Sequence, residues 1–185
     1  YSHSEKRTKH AEEKLQIARR AVELIEEGST IFLGPGTTVE QMASMLPAFR
    51  LRIVTNSLSV FNLLEAREDC DLCLVGGMYR RRTAAFVGPM AEDTLRALGI
   101  DAAYIGANGI LDGDVSTSNM EEGRIQQLAL LVHDIVLGGG TLLADDLHHL
   151  IDLVSSCKDC TSLFDTSHIH NTGIFRPVSY THLRA

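Results

Sequence analysis

The first residues in this chain whose types and spacing can do chemistry are Ser29 to Gln41, STIFLGPGTTVEQ. Thr30 to Leu33 are β-branched or apolar and read as a buried parallel strand. Gly34-Pro35-Gly36-Thr37-Thr38 follows, then Val39, Met42, Met45 and Leu46 at helical spacing. Gly36 lets the backbone turn tightly and approach a ligand closely. A strand, a glycine turn and a helix N-terminus leave backbone N–H groups unpaired at the positive end of a dipole, which is the chemistry of an anion site. Thr37-x-x-Glu40 and Thr38-x-x-Gln41 are overlapping capping boxes and place the helix start within Thr37–Val39. A plain, well-capped βα turn has the same features, so this stretch alone leaves both readings open. No Gly-Lys-Ser/Thr follows the glycines, which excludes a nucleotide P-loop.

Three more turns of similar chemistry follow three more predicted strands. Leu51–Thr55 leads into Thr55-Asn56-Ser57, Asp71–Val75 into Gly76-Gly77, and Ala102–Ile105 into Gly106-Ala107-Asn108-Gly109. In a parallel sheet all of these turns lie at the carboxyl edge, where α/β proteins bind ligands at the switch point of strand order. Hydroxyls and amides suit a sugar, and N–H groups at a helix start suit its phosphate. The candidate ligand-binding residues are therefore Gly36, Thr37, Thr38, Thr55, Asn56, Ser57, Gly76, Gly77, Gly106, Asn108 and Glu121.

The elements that must position these turns alternate. A helix is predicted from Ala11 to Glu27, with Leu15, Ala18, Val22 and Ile25 as its apolar stripe and Gly28 as its C′ residue. A second helix carries Leu58, Phe61, Leu63 and Leu64 inside. A loop from Met78 to Ala85 holds Arg80, Arg81 and Arg82, and a helix runs from about Met90 to Leu98. A polar loop from Asp112 to Asn119 precedes a helix capped by Ser118-x-x-Glu121 and Asn119-x-x-Glu122, running to about His133. This alternation argues an α/β fold, a parallel Rossmann-like sheet with helices on both faces. Past His133 only short apolar runs remain. Residues 1–10 read as a hinge or linker, 11–165 as one domain and 166–185 as an irregular tail. The closing PVSYTHLRA resembles translated sequencing-adapter read-through and is excluded from fold reasoning.

Composition bounds the function. The chain has 185 residues, 44% hydrophobic and 22% charged, with net charge -7. That acidity makes it a poor nucleic-acid binder by itself. No apolar run is long enough to span a bilayer and no signal peptide is visible, so the expected location is cytoplasmic, with no membrane partner. The cysteines form two C-x-x-C pairs, Cys70/Cys73 and Cys157/Cys160. Such pairs can bind zinc, but Cys73 sits in an apolar run and reads as a small hydrophobe, so no metal and no cofactor are expected. His148, His149, His168 and His170 read as surface histidines. Arg80–Arg82 can offer a cation to a phosphate, or form a solvated loop or inter-subunit salt bridges. Glu121 and Glu122 can touch a sugar hydroxyl, or simply complement the helix dipole.

The sequence resembles the C-terminal sensor domain of DeoR-family transcriptional repressors. The stretches that carry the resemblance are Ala11–Thr38, IVTNSL (Ile53–Leu58), LVGGMY (Leu74–Tyr79), FVGPMA (Phe86–Ala91), DAAYIGANGI (Asp101–Ile110) and Ser116–Glu122. The resemblance implies a fold like ribose-5-phosphate isomerase and the CoA transferases, a sugar-phosphate effector, and an N-terminal winged helix-turn-helix that binds operator DNA. It also implies a dimer or tetramer. This chain would begin in the hinge, with operator DNA reached only through a domain it does not include. Gly34-Pro35 stands where the family has Asp-Ser/Ala. Asn108 stands where it has Asp. Asp146-Leu147-His148-His149 replaces a Ser-Ser-Lys-Phe whose lysine is a plausible phosphate ligand. That absence weakens the phosphate site without abolishing it.

Two functions follow. One is a sugar-phosphate sensor in a regulator of carbohydrate metabolism, with no catalytic residue and a homo-oligomeric assembly. The alternative is a sugar-phosphate isomerase-type enzyme, which needs a carboxylate base near the substrate. Asn108 stands where that base would be most useful, and an amide cannot accept the proton. The sensor is the expected function.

Overall fold

The computed structural model describes residues 10–106, 109–111, 114–117 and 119–136. Its centre is a four-stranded, all-parallel sheet of β1 (Thr30–Leu33), β2 (Leu51–Thr55), β3 (Cys70–Leu74) and β6 (Ala102–Tyr104). The strand order is β3-β2-β1-β6. The chain thus winds outward from β1 through β2 to β3, then returns to the other side of β1. The point where that direction reverses lies between β1 and β6.

Side-chain alternation builds a core on each face. Ile31 and Leu33 of β1 and Ile53 of β2 point to one face. They pack there with α1 (Ala11–Val22), α2 (Thr37–Ala43) and α3 (Leu58–Leu64). Phe32 and Val54 point to the other face, with α4 (Pro89–Arg96) and α5 (Met120–Val136). Phe32, Ile31, Leu33 and Ile53 are fully buried. Helices on both faces of a parallel sheet are the arrangement that the alternation predicts. Among the described residues no helix is long and apolar enough to cross a membrane.

Several local expectations are corrected. The first helix stops at Val22 rather than Glu27. The chain tightens there, with Leu24 and Ile25 donating to the carbonyls of Ala21 and Val22. Gly28, at φ +82, turns the chain into β1 instead of capping the helix. In α3 the buried residues are Val60 and Leu64, while Leu63 is exposed. The segment 78–87 is an antiparallel hairpin, β4 (Met78–Arg80) with β5 (Ala85–Val87), not a loop. A second hairpin, β7 (Gly109–Leu111) with β8 (Asp114–Ser116), occupies part of the expected polar loop. The last helix continues past His133 to Val136. Cys70 opens β3 rather than preceding it, and burial pushes its thiol up, so it stays protonated at neutral pH. Cys157, Cys160 and the four later histidines lie outside the described residues.

Arg67 closes the α2 end of the first core. Its Nη1 and Nη2 donate to the carbonyls of Leu46 (3.1 Å) and Pro47 (2.7 Å), and its Nε donates to Asp69 (2.8 Å). Its Nη2 also donates to the second Asp69 carboxylate oxygen. Arg67→Ala removes all four bonds, so chemical denaturation is expected to show a loss of about 1–3 kcal/mol. The same guanidinium holds the Asp69 carboxyl below the usual carboxylate range. A carboxyl lowered in the folded state adds stability at neutral pH and loses it as pH falls through its folded value. The stability gap between wild type and Asp69→Asn therefore narrows on acidification below about pH 4.

Candidate functional site

The two turns at the switch point meet backbone to backbone. Gly34 N–H donates to the Tyr104 carbonyl at 2.9 Å. A Cβ on Gly106 would lie 3.0 Å from the Pro35 carbonyl, and one on Gly36 would lie 3.7 Å from the Gly106 Cα. Gly36 has φ +150 and is the N-cap of α2. The expected capping boxes are therefore absent: the residue at the cap has no side chain, and both threonines fall inside the helix. Without a hydroxyl cap, the first-turn N–H groups of α2 are left to another partner. With only seven residues in α2, these N–H groups matter more than any macrodipole.

Next to β1, the end of β2 is fixed from within. Thr55 Oγ1 donates to the Leu33 carbonyl (2.6 Å) and accepts from Ser57 N–H (3.0 Å). Ser57 Oγ accepts from Val60 N–H (3.3 Å) and caps α3. Thr55 is fully buried, and its hydroxyl holds the turn rather than facing a ligand. Asn56 is anchored to the first hairpin: its Nδ2 donates to the Phe86 carbonyl (2.9 Å) and its backbone carbonyl accepts from Phe86 N–H (2.8 Å). Leu58 N–H donates to the Ala84 carbonyl (2.8 Å), so the hairpin is stitched along this strand end.

The hairpin is also tied to α5. Arg80 Nε donates to Glu122 Oε1 (3.0 Å), and Thr83 Oγ1 donates to the same oxygen (2.6 Å). Arg80 Nη1 approaches Glu121 Oε2 at 3.4 Å. Arg80 thus forms an intrachain clamp, leaving exposed Arg81 and Arg82 as the cations of the run. Of the two glutamates, Glu122 is the buried one and Glu121 is half exposed. Asn119 caps α5 as expected, its Oδ1 accepting from Glu122 N–H at 3.0 Å.

The structure therefore gathers Gly36, Thr37, Thr38, Asn56, Ser57 and Gly106 around adjoining strand-end turns. Asn108 and Ser118 lie outside the described residues. Gly77, at φ +148, fits because a Cβ there would sit 2.6 Å from the Val87 carbonyl; Gly76 has open space. Gln126 was missed by the sequence reading. Its Nε2 donates to the Gly106 carbonyl at 2.9 Å. It shares the buried face of α5 with Glu122, Ile125 and Ala129, and two polar residues inside that stripe were the available signal. A groove of about 280 Å³ runs beside α2, lined by Thr37, Glu40, Gln41, Ser44 and Leu63. A second, about 330 Å³, lies between α4 and α5, and none of its lining residues belongs to a strand-end turn. Among the described residues no group of His, Cys, Asp or Glu is placed to hold a metal ion.

The model of the DeoR C-terminal sensor domain matches residues 9–137. The chain belongs to this family. It is 45% identical over 132 residues to a lactose phosphotransferase system repressor of Lactococcus lactis subsp. lactis, covering 70% of this chain and 52% of the relative. It is 46% identical over 131 residues to a repressor of the same name from Staphylococcus epidermidis, with the same coverage. A Streptococcus mutans repressor of that name is 34% identical over 169 residues, 85% of this chain and 67% of the relative. The chain spans about half the length of the first two relatives. For the sensor domain, the family match covers the whole described sheet and every strand-end turn.

The glycine pair offers an internal control. Gly77→Ala is expected to lower stability by about 2 kcal/mol or more, since both the backbone angle and the Val87 carbonyl oppose a side chain. Gly76→Ala should stay within about 0.5 kcal/mol of wild type. Thermal or urea unfolding of the two variants checks the pair.

Proposed function

We propose that this sensor domain binds a phosphorylated sugar at the carboxyl edge of its sheet and acts within a longer DeoR-type repressor of carbohydrate genes. The observation that supports this most is the coincidence of the family match with the switch-point turns. The strand ends where α/β folds take ligands are lined here by uncapped N–H groups, amides and hydroxyls. The curated relatives are named repressors of a lactose phosphotransferase system, a name that joins a sugar to phosphoryl transfer. These relatives are regulators, not enzymes, which supports a binding role over an isomerase. Operator DNA would be reached through another part of the full-length regulator. Binding would regulate only if the ligand favours one of two arrangements, since equal affinity for both shifts nothing.

We also propose that the domain works in the cytoplasm as a homo-oligomer and extends from about residue 11 to 165. Ala18, Ala21 and Ile25 are consumed by the domain's own core. Leu15, Ile17 and Val22 remain half-buried on or beside that stripe and can meet a partner helix.

Thr37 is buried and would take a new charge poorly, whereas Thr38 is partly exposed in the same first turn. Thr38→Glu directs a carboxylate to the N–H groups proposed for phosphate. Calorimetry should show a hexose 6-phosphate binding wild type and the free hexose binding at least tenfold more weakly. Thr38→Glu should weaken the phosphorylated sugar by about tenfold, equivalent to about 1.4 kcal/mol. Equal affinity for the phosphorylated and free sugar would sink the reading.

A further inference from the structure

Two side-chain oxygens at the strand-end edge have a need that the described protein does not meet. Asn56 is 1% exposed and Gln126 is 3% exposed. In each, the amide nitrogen donates to a backbone carbonyl, Asn56 to Phe86 and Gln126 to Gly106, both at 2.9 Å. Those carbonyl partners fix which end of each amide is nitrogen. The other ends, Asn56 Oδ1 and Gln126 Oε1, are buried without a hydrogen-bond partner. Buried polar atoms are rarely left so, and a ligand is one way to satisfy them.

The chemistry of the missing partner is constrained. Each oxygen is an acceptor, so it needs a donor. A fully ionised phosphate oxygen has no proton to give, whereas a sugar hydroxyl has one. β2 and β6 flank β1. The strand ends bearing Asn56 and contacting Gln126 are thus two strand spacings apart, ~10 Å. The uncapped start of α2 stands on β1 between them.

We propose that Asn56 and Gln126 are specificity-determining residues whose buried carbonyl oxygens accept hydrogen bonds from hydroxyls of the bound sugar. The inference rests on the phosphorylated-sugar reading and assigns the part of the site that distinguishes one sugar from another. Gln126 lies in a helix whose sequence marks it only as a polar residue within a buried stripe. A site built around a hydroxyl discriminates strongly against an analogue lacking it, because its own polar atoms then go unpaired.

The test uses the full chain, with glucose 6-phosphate, galactose 6-phosphate and their monodeoxy analogues as probes in calorimetry. For the tightest hexose phosphate, wild type should lose about tenfold or more on removal of at least one hydroxyl. Gln126→Met should reduce that discrimination to under about threefold for the hydroxyl it reads. Asn56 also anchors the hairpin, so it is followed in wild type through its side-chain ¹³C carbonyl signal, together with that of Gln126. Both signals should move on saturation with the hexose phosphate and stay in place with inorganic phosphate. If Gln126→Met keeps the wild-type deoxy profile, or both carbonyl signals stay in place while the hexose phosphate binds, other residues read the sugar. The proposal is then overturned while the phosphorylated-sugar reading stands. If well-folded wild type binds none of these phosphorylated sugars, both are overturned.

Discussion

The close approach of Gly106 to the Pro35 carbonyl is the constraint on which the site depends. A side chain at Gly106 would begin 3.0 Å from that oxygen. The turn after β6 must therefore press directly against the turn after β1. Gly34 N–H bonding to Tyr104 holds the same junction from the other side, and burial pushes the Tyr104 phenol up to about 12, so it carries no charge there. In a doubly wound sheet the turns flanking the switch point splay apart and leave a crevice. Here the crevice floor is closed by backbone, and the proposed ligand would lie above the turns, beside α2, the hairpin and α5.

A second layer of contacts gives that floor its walls. The buried Glu122 accepts from both Arg80 and Thr83, which ties the hairpin to α5. Breaking one partner of such a buried charge leaves the other uncompensated. On the opposite side, Asn56 and Ser57 lock the hairpin to the end of β2. The hairpin thus bridges β2 and α5 across the sheet edge. Ligand contacts on either wall can bias the same element, which is what a sensor requires to turn occupancy into a change of arrangement.

Much of this was legible because the physics was local. Leu51–Thr55 was bounded correctly by its apolar run and the Asn-Ser turn after it. The strand-end turns were legible because glycines and small polar residues punctuate parallel strands. The capping of α5 by Asn119 followed from its spacing to Glu122. What failed was non-local. The hairpin 78–87 has no turn signature, since Arg81 to Ala84 is a tract of charge and small residues, and Ala84 adopts φ +52 without being glycine. The clamp of Arg80 on Glu122 joins residues 42 apart, so no spacing rule reveals it. Thr55 looked like a ligand residue because its hydroxyl ends a strand; only the fold shows that hydroxyl committed to Leu33 and Ser57. For Gln126 the sequence shows only a polar residue within a buried stripe; its partner, the Gly106 carbonyl, lies on another element.

The central claim is that the sheet's carboxyl edge is where a phosphorylated sugar binds. Backbone amide chemical-shift mapping of the ¹⁵N-labelled chain during titration with a hexose 6-phosphate tests it most directly. The account predicts saturable shifts concentrated at Gly36, Thr38, Ser57 and Gly106, and spreading along the hairpin to Glu122. Shifts concentrated instead around Arg96 and Arg124, in the groove between α4 and α5, would contradict it.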